Sequence, residues 1–227
     1  MVTLRKVGAV ALLLCTFSNL KTQRMVAGSG GPRFTMTWFN MEDLNSRFKE
    51  NGIERIPMPQ RYFGGGGSGI VGGIILGGWG FNGEGILNGD SVDVRISYGG
   101  GYFQPGYILP LPKNPNIGIV LGIGSYSSIL DFIPQSLEDI PFDTLLTDEG
   151  AKRISRVTGD GLSLAIGAQI NLFLKKGFFF IGPSVEGGYI FSKPSWKLWD
   201  GKGLVNFPKP KPTGPYLSLS LLFGGGF

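Results

Sequence analysis

The stretch Gly214–Phe227, GPYLSLSLLFGGGF, decides the fold class. Its odd positions from Leu217 to Phe223 are all leucine or phenylalanine, and Ser218 and Ser220 stand between them. Successive side chains of an extended strand point to opposite faces, whereas a helix repeats every 3.6 residues. The stretch therefore predicts a β-strand with one strongly apolar face.

The same alternation recurs along the chain and predicts an all-β protein. It is clearest from Ile117 to Ile123, from Leu162 to Leu172 and from Phe179 to Phe191. The predicted strands lie near 33–41, 60–70, 72–83, 91–110, 117–130, 157–173, 177–192 and 214–227. Long connections at 42–59, 84–90, 131–156 and 193–213 alternate with short ones near 71, 111–116 and 174–176. About eight antiparallel, up-and-down strands are expected.

The first long connection contains the signals of one short helix. Asn40 is a suitable N-cap, and Leu44 and Phe48 are four residues apart, which places them on one helical face. Asn51-Gly52 supplies a stop signal. We therefore predict an amphipathic helix over Glu42–Asn51 that either caps one end of the barrel or rests on the membrane surface, with the cap favoured.

Inside the predicted strand 91–110 the apolar residues change parity. They occupy even positions from Val92 to Tyr98 and odd positions from Phe103 to Leu111. One extra residue in a strand exchanges its two faces. The pattern predicts a β-bulge at Gly99–Gly101.

The face opposite the large apolar residues carries Gly, Ala, Ser, Gln and Asn and very few charges. A soluble antiparallel sheet buries its apolar face and shows charges to water. In a narrow eight-stranded barrel we expect small and polar groups in the lumen and large apolar groups outside, toward lipid. Backbone groups in hydrocarbon must all be paired, so such a sheet has to close. The sequence favours a transmembrane β-barrel.

The terminal stretch also resembles the closing strand of bacterial outer-membrane β-barrels, and the resemblance to the small eight-stranded class extends over 33–227. It implies a barrel-closing terminal signal formed by Tyr216, Leu219, Leu221, Phe223 and Phe227. It further implies contact with outer-membrane lipid, recognition by the barrel-assembly machinery and a monomeric state. Aromatic girdles at the two membrane interfaces are expected from Trp38, Phe39, Trp79, Phe81, Tyr107, Phe173, Phe178, Phe191 and Phe227.

Residues 1–23 resemble a signal peptide. Arg5 and Lys6 precede the apolar run Val7–Phe17, which is too short to span a bilayer. We therefore expect export to the outer membrane, with the cleavage site left open. Without Arg5, Lys6 and Lys21 the chain has 18 basic and 16 acidic residues, which is not the charge balance of a nucleic-acid-binding protein.

The composition excludes most catalytic designs. The chain has no histidine, which removes Ser-His-Asp triads, histidine general bases and most zinc or haem sites. Outer-membrane proteases, phospholipases and lipid A deacylases resemble histidine-dependent designs, from which this chain departs. The glycine run Gly64–Gly67 lacks the Lys-Ser/Thr of a phosphate loop. No enzymatic activity, cofactor or metal is expected.

Two polar features remain as candidate sites. Glu186 faces inward on its predicted strand and, with Arg95, Gln169 and Asn171, is expected to form a polar network in the lumen, more as a plug than as a filter. The last long connection is rich in lysine and tryptophan, which suits either anionic lipid headgroups or surface polysaccharide, or simply a solvated loop. These residues are Lys193, Trp196, Lys197, Trp199, Lys202, Lys209 and Lys211.

The leading hypothesis is an integral outer-membrane barrel whose structural or surface-interaction role is carried by its long loops. A secreted, lipocalin-like barrel with an apolar ligand inside is the first alternative. A narrow pore is the second. The barrel hypotheses differ in facing: a lipocalin-like barrel would bury Leu164, Ile166 and Leu219 inside.

Overall fold

The structure is a computed structural model that describes residues 26–109, 116–135, 155–202, 204, 206–208 and 210–226. The predicted signal peptide and Phe227 lie outside these residues. Within the described ranges, no helix has the length and apolarity needed to cross a membrane.

The described residues form ten strands and one helix. The strands are β1 (Val26–Thr37), β2 (Gln60–Val71), β3 (Ile74–Leu87), β4 (Val92–Ile108), β5 (Asn116–Pro134), β6 (Ser155–Asn171), β7 (Leu174–Lys176), β8 (Phe179–Ser192), β9 (Ser195–Leu198) and β10 (Gly214–Gly226). The helix α1 (Glu42–Glu50) lies between β1 and β2. The predicted helix is confirmed to within one residue at its end.

Eight long antiparallel strands close into a barrel. Strands β1 to β6 pair in sequence, β6 pairs with β8, β8 with β10, and β10 returns to β1. The short strands β7 and β9 extend the rims beside β8 and β6. The prediction of an up-and-down barrel with about eight strands and one helix in the first long connection is confirmed.

The pairing register shows that the strands are tilted. A series of paired residues followed once around the barrel does not end at the residue where it began. From Phe34 the paired residues lead through β2 to β5 and reach Asp160 on β6. In the other direction, through β10 and β8, they reach Ile170 on the same strand. The stagger between positions 160 and 170 is ten residues, which requires the strand tilt found in closed barrels.

Strand β1 begins at Val26 and not near 33. The missed part contains Gly28, Gly30 and Gly31, which carry no side chain to show an alternation. Its backbone is nevertheless paired on both sides, with β2 and with β10. The barrel wall therefore extends further toward the strand ends than the side-chain pattern predicts.

The predicted bulge at Gly99–Gly101 is absent, and this prediction was wrong. Strand β4 keeps one continuous register with β3 from end to end and with β5 on either side of the glycines. Even positions face inward throughout, since Val94 and Tyr102 are both buried, while Arg95 and Phe103 are exposed. Each face of β4 keeps its direction along the strand. The aliphatic residues lie on the inner face near Val94, whereas the outer face becomes apolar near Phe103.

The two ends of the barrel consequently differ. We call the end with the β2–β3 turn at Gly72-Gly73 the turn end and the end with α1 the loop end. Toward the turn end and the middle, the outside carries a continuous set of exposed large residues, the apolar belt: Phe63, Leu76, Phe103, Ile119, Leu121, Ile123, Leu162, Leu164, Ile166, Ile170, Leu172, Ile181, Val185, Tyr189, Phe191, Leu219, Leu221 and Phe223.

At the loop end the apolar residues lie inside and form a conventional core. Leu44 and Phe48 of α1 are buried against the strands there. The other members are Phe39, Met41, Ile56, Leu87, Val94, Ile96, Leu130 and Val157. Met41 occupies the N-cap position of α1, and the Asn40 side chain accepts a hydrogen bond from the Glu42 amide at 3.2 Å. The helix thus closes the barrel with its apolar face inward.

Large aromatic rings fill the lumen below the loop-end core, whereas only small and polar groups were expected there. The buried residues there include Tyr62, Trp79, Phe81, Tyr102 and Tyr126. Three of the expected girdle residues, Phe39, Trp79 and Phe81, are therefore interior, whereas Trp38, Phe178 and Phe191 are exposed as predicted.

Inward-facing glycines provide the room for these rings. A Cβ atom at Gly100 would lie 2.8 Å from the Phe81 ring, and one at Gly122 would lie 3.1 Å from the ring of Tyr102. Such distances are shorter than ordinary van der Waals contact. The inner glycines are needed because aromatic rings occupy the space that their side chains would take.

Gly100→Ala is expected to lower the free energy of unfolding by about 1–3 kcal/mol, because the added methyl group overpacks the lumen. Its Cβ would also lie 2.5 Å from the backbone oxygen of Ser125. The matched control is Gly101→Ala on the outer face, where the nearest atom, the Trp79 backbone oxygen, is 3.6 Å away. Urea unfolding in detergent micelles measures both, and equal losses in the two variants would contradict the packing account.

Candidate functional site in the barrel lumen

A buried carboxylate in the middle of the lumen gathers donors from three other strands. Glu186 on β8 accepts hydrogen bonds from Arg33 Nη1 at 3.0 Å, Gln104 Nε2 at 2.8 Å and Tyr216 Oη at 2.6 Å. The side chains of Arg33 and Glu186 are only 8% and 4% exposed. We call Arg33, Gln104, Glu186, Tyr216 and Ser218 the lumen plug.

Arg33 is held on two further sides. Its Nη2 donates to Ser218 Oγ at 2.9 Å, and Ser218 Oγ lies 2.8 Å from Thr35 Oγ1. The guanidinium carbon is 3.9 Å from the centre of the Trp79 ring, a cation–π contact. The plug therefore ties together β1, β3, β4, β8 and β10 at one level of the barrel.

The parity of β1 places Arg33 in the lumen. Arg33, Thr35 and Thr37 occupy alternate positions and all three are buried, whereas the intervening Phe34 and Met36 point toward the outside. A buried ion pair is stable only when its remaining donors and acceptors are satisfied. The Ser, Gln and Tyr side chains meet this need for the carboxylate and for Arg33 Nη2, while Arg33 Nε has no hydrogen-bond partner among the described residues.

Aromatic rings stack next to the plug. Trp79 and Tyr102 lie with ring centroids 4.7 Å apart in a stacked arrangement, and Tyr62 meets Phe81 edge-on at 5.1 Å. Tyr102 Oη lies 2.6 Å from Ser163 Oγ, which links β4 to β6. The rings leave the lumen packed and not open.

A small polar cavity remains beside the plug. Its volume is about 40 Å³, and Arg33, Trp79, Gln104, Gln169 and Glu186 contribute to its lining. This space suits about a single water molecule and no larger ligand.

The structure brings only part of the predicted network together. Glu186 is its centre, Gln169 lines the cavity, and Asn171 is buried near the turn end, where its Oδ1 has no hydrogen-bond partner among the described residues. Arg95 is exposed, so its assignment to the lumen was wrong. Its neighbours Val94 and Ile96 are the inward residues at that level, because the loop end has an apolar interior.

Sequence reasoning missed the actual cation, Arg33, and its partners Gln104 and Trp79. Arg33 shares the parity of Thr35 and Thr37, and this signal was available in the sequence. The pairing with Glu186 was not, because the two residues are 153 positions apart.

The residues of the predicted terminal signal divide between the two faces of β10. Tyr216 is buried in the lumen as part of the plug. Leu219, Leu221 and Phe223 belong to the apolar belt on the outside. Phe227 lies outside the described residues.

A second ion pair stands at the loop end, outside the apolar belt. Arg156 donates to both carboxylate oxygens of Asp131, at 2.6 and 2.8 Å. These hydrogen bonds, together with the attraction of the carboxylate, raise the pKa of Arg156. The pair joins the ends of β5 and β6.

Within the described ranges, the lumen carboxylate is engaged by its partners and no candidate metal site is present. Glu186 is neutralised by Arg33 and saturated by hydrogen bonds. No group of three or more Cys, Asp or Glu side chains in the described ranges is placed to hold a metal ion. The polar contacts of these side chains cross-link the strands around the lumen.

No protein-family model and no curated protein matches the sequence. Among solved structures, Ail, the attachment invasion locus protein of Yersinia pestis, is 12% identical with a TM-score of 0.48, over 90% of this chain and 99% of that one. The outer membrane protein OprG from Pseudomonas aeruginosa is 13% identical (TM-score 0.35; 91% and 97%). The outer membrane protease OmpT from Escherichia coli is 9% identical (0.33; 91% and 96%).

The sequence identities and TM-scores of these structures are low. The fold of this protein is assigned from its own strand pairing and from its apolar belt. Its closed sheet, even strand number, antiparallel order and outward apolar belt are the architecture of small outer-membrane β-barrels.

Proposed function

We propose that this protein is an integral outer-membrane β-barrel, without enzymatic activity, whose role is carried by its loop end. The observation that carries the proposal is the apolar belt. Leu164, Ile166 and Leu219 are 50%, 52% and 47% exposed on the outside of a sheet whose lumen holds an ion pair. A monomeric soluble protein rarely exposes so large a continuous apolar surface.

The height of the belt fits a bilayer. On β6 the belt extends from Leu162 to Leu172, ten steps along a tilted strand. At about 3.3 Å per step and a tilt near 40°, this corresponds to roughly 25 Å along the barrel axis. Beyond Leu162, toward the loop end, the outward residues are Asp160, Thr158 and Arg156. The belt thus ends where polar side chains begin.

The outward position of the large apolar residues contradicts a lipocalin-like barrel. That alternative places the large apolar residues of β6 and β10 inside around a ligand. Here the inner residues on these strands include Ser163, Asn171 and Ser218. The apolar interior of the loop end is already filled by its own core and by α1.

The packed lumen also argues against a pore. We expect the folded protein to show no channel events in planar bilayers, because the plug, the rings and the loop-end core close the lumen in series. The same result is expected for Glu186→Gln, in which the rings and the core still close the lumen. Reproducible conductance steps in both proteins would contradict a closed barrel.

Membrane integration is tested by extraction and gel mobility. The protein is expected in the detergent-soluble membrane fraction, with a mobility on denaturing gels that changes on boiling, as closed barrels resist the detergent when cold. Recovery in the soluble fraction would overturn the proposal. Recognition by the barrel-assembly machinery and the monomeric state stay predictions.

A further inference from the structure

The outward face of β8 changes from apolar to cationic within two residues. Tyr189 and Phe191 are exposed, with ring centroids 4.8 Å apart. Lys193 follows Phe191 at the next outward position and is exposed. Its amide donates to the backbone oxygen of Leu162 at 3.5 Å, and Leu162 is itself 81% exposed. Lys193 therefore stands at the loop-end edge of the belt.

A second lysine, Lys211, lies beside Tyr189. Lys211 and Tyr189 line a surface cavity of about 380 Å³, together with Thr213, with Asp43 in the first turn of α1 and with Asn40 just before the helix. The other lining residues are Met41, Leu44 and Pro210. The segment that carries Lys211 is anchored two residues later, where Thr213 exchanges hydrogen bonds with the Ser192 backbone at 3.2 Å.

Neither lysine is paired with a carboxylate of the described residues. Two other exposed cations near this end do have such partners: Arg156 pairs with Asp131 and Lys202 with Asp200. Among the described residues, no carboxylate lies within 4 Å of either ammonium group, although Asp43 lines the cavity and Asp160 is exposed on β6. Two ammonium groups thus flank the aromatic edge of the belt.

Aromatic residues at the edge of an apolar belt mark the level of lipid headgroups, and ammonium groups just beyond them meet the phosphates. We infer that Lys193 and Lys211 bind the phosphate groups of an anionic lipid in the outer leaflet, with Tyr189 and Phe191 against its apolar part. The inference rests on the membrane placement proposed above. A surface polysaccharide fits less well, because these two lysines adjoin the belt and not the outermost loops.

The test compares Lys193→Gln/Lys211→Gln with Lys49→Gln/Arg95→Gln. The control pair has the same net charge and also removes exposed cations, from α1 and from the opposite part of the wall. Native mass spectrometry of detergent-solubilised protein, titrated with lipid A or phosphatidylcholine, gives apparent dissociation constants. Each lysine is expected to contribute about fivefold to the affinity for lipid A. The first variant should therefore bind lipid A roughly 25-fold more weakly than the parent, whereas the control variant should bind it about as tightly as the parent.

Several outcomes would overturn the inference. They are an unchanged affinity in the first variant, equal losses in both variants, or equal affinity of the parent for phosphatidylcholine. Dextran sulfate that binds with the same dependence on Lys193 and Lys211, while lipid A does not bind, would assign the site to a polysaccharide. Heat-dependent gel mobility, measured on each variant, shows separately whether the barrel itself has formed.

Discussion

Glu186→Leu is expected to lower the free energy of unfolding by about 3–5 kcal/mol, the largest effect of any single substitution considered. The substitution leaves the Arg33 guanidinium buried without its counter-charge. It also removes the acceptor of Gln104 and Tyr216, two further buried donors. Since the four side chains come from β1, β4, β8 and β10, the loss weakens the wall across half of the barrel.

The design that isolates the ion pair is a double-mutant cycle. Arg33→Met alone should also cost several kcal/mol, while Arg33→Met/Glu186→Leu should cost clearly less than the sum, because no unpaired charge remains. Glu84→Leu, at an exposed position of β3, is the matched control and should change stability by less than about 0.5 kcal/mol. Urea unfolding in micelles supplies all four values. Additive losses in the double variant would show that Arg33 and Glu186 do not act as a pair.

The strand alternation predicted most of the fold, because it depends only on local geometry. Where β5, β6, β8 and β10 carry the apolar belt, their outer face is predominantly apolar, so the outward residues there follow from the sequence alone. In β1 the glycines erased the signal, and in β4 the apolar face changes from inside to outside. That change was interpreted as a bulge because a fixed facing of apolar residues was assumed. The assumption fails wherever a membrane barrel continues beyond the bilayer.

The site was less predictable, because its residues meet only through the closed register. Glu186 was identified from its parity, but its partners depend on which strands lie opposite across the lumen. Arg95 had the right charge and lies at a level where the interior is apolar. Trp79 and Phe81 were assigned to the surface, since no local pattern shows that Gly100 and its neighbours leave room for rings inside.

The second large effect concerns the apolar belt. Ile166→Arg is expected to lower the free energy of unfolding in lipid by about 2–4 kcal/mol, the cost of a cation near the middle of the hydrocarbon layer. Ile166 is 52% exposed in the middle of the belt on β6. In a soluble protein, an arginine at such an exposed position would change stability by less than about 0.5 kcal/mol. The magnitude therefore distinguishes lipid from water at this surface.

Asp160→Arg is the matched control, at an exposed outward position of the same strand, six residues closer to the loop end. The decisive measurement is the unfolding free energy of both variants in phospholipid bilayers, relative to the parent. The membrane placement predicts a loss of about 2–4 kcal/mol for Ile166→Arg and at most about 1 kcal/mol for Asp160→Arg. If Ile166→Arg is no more destabilising than Asp160→Arg, the belt does not face lipid.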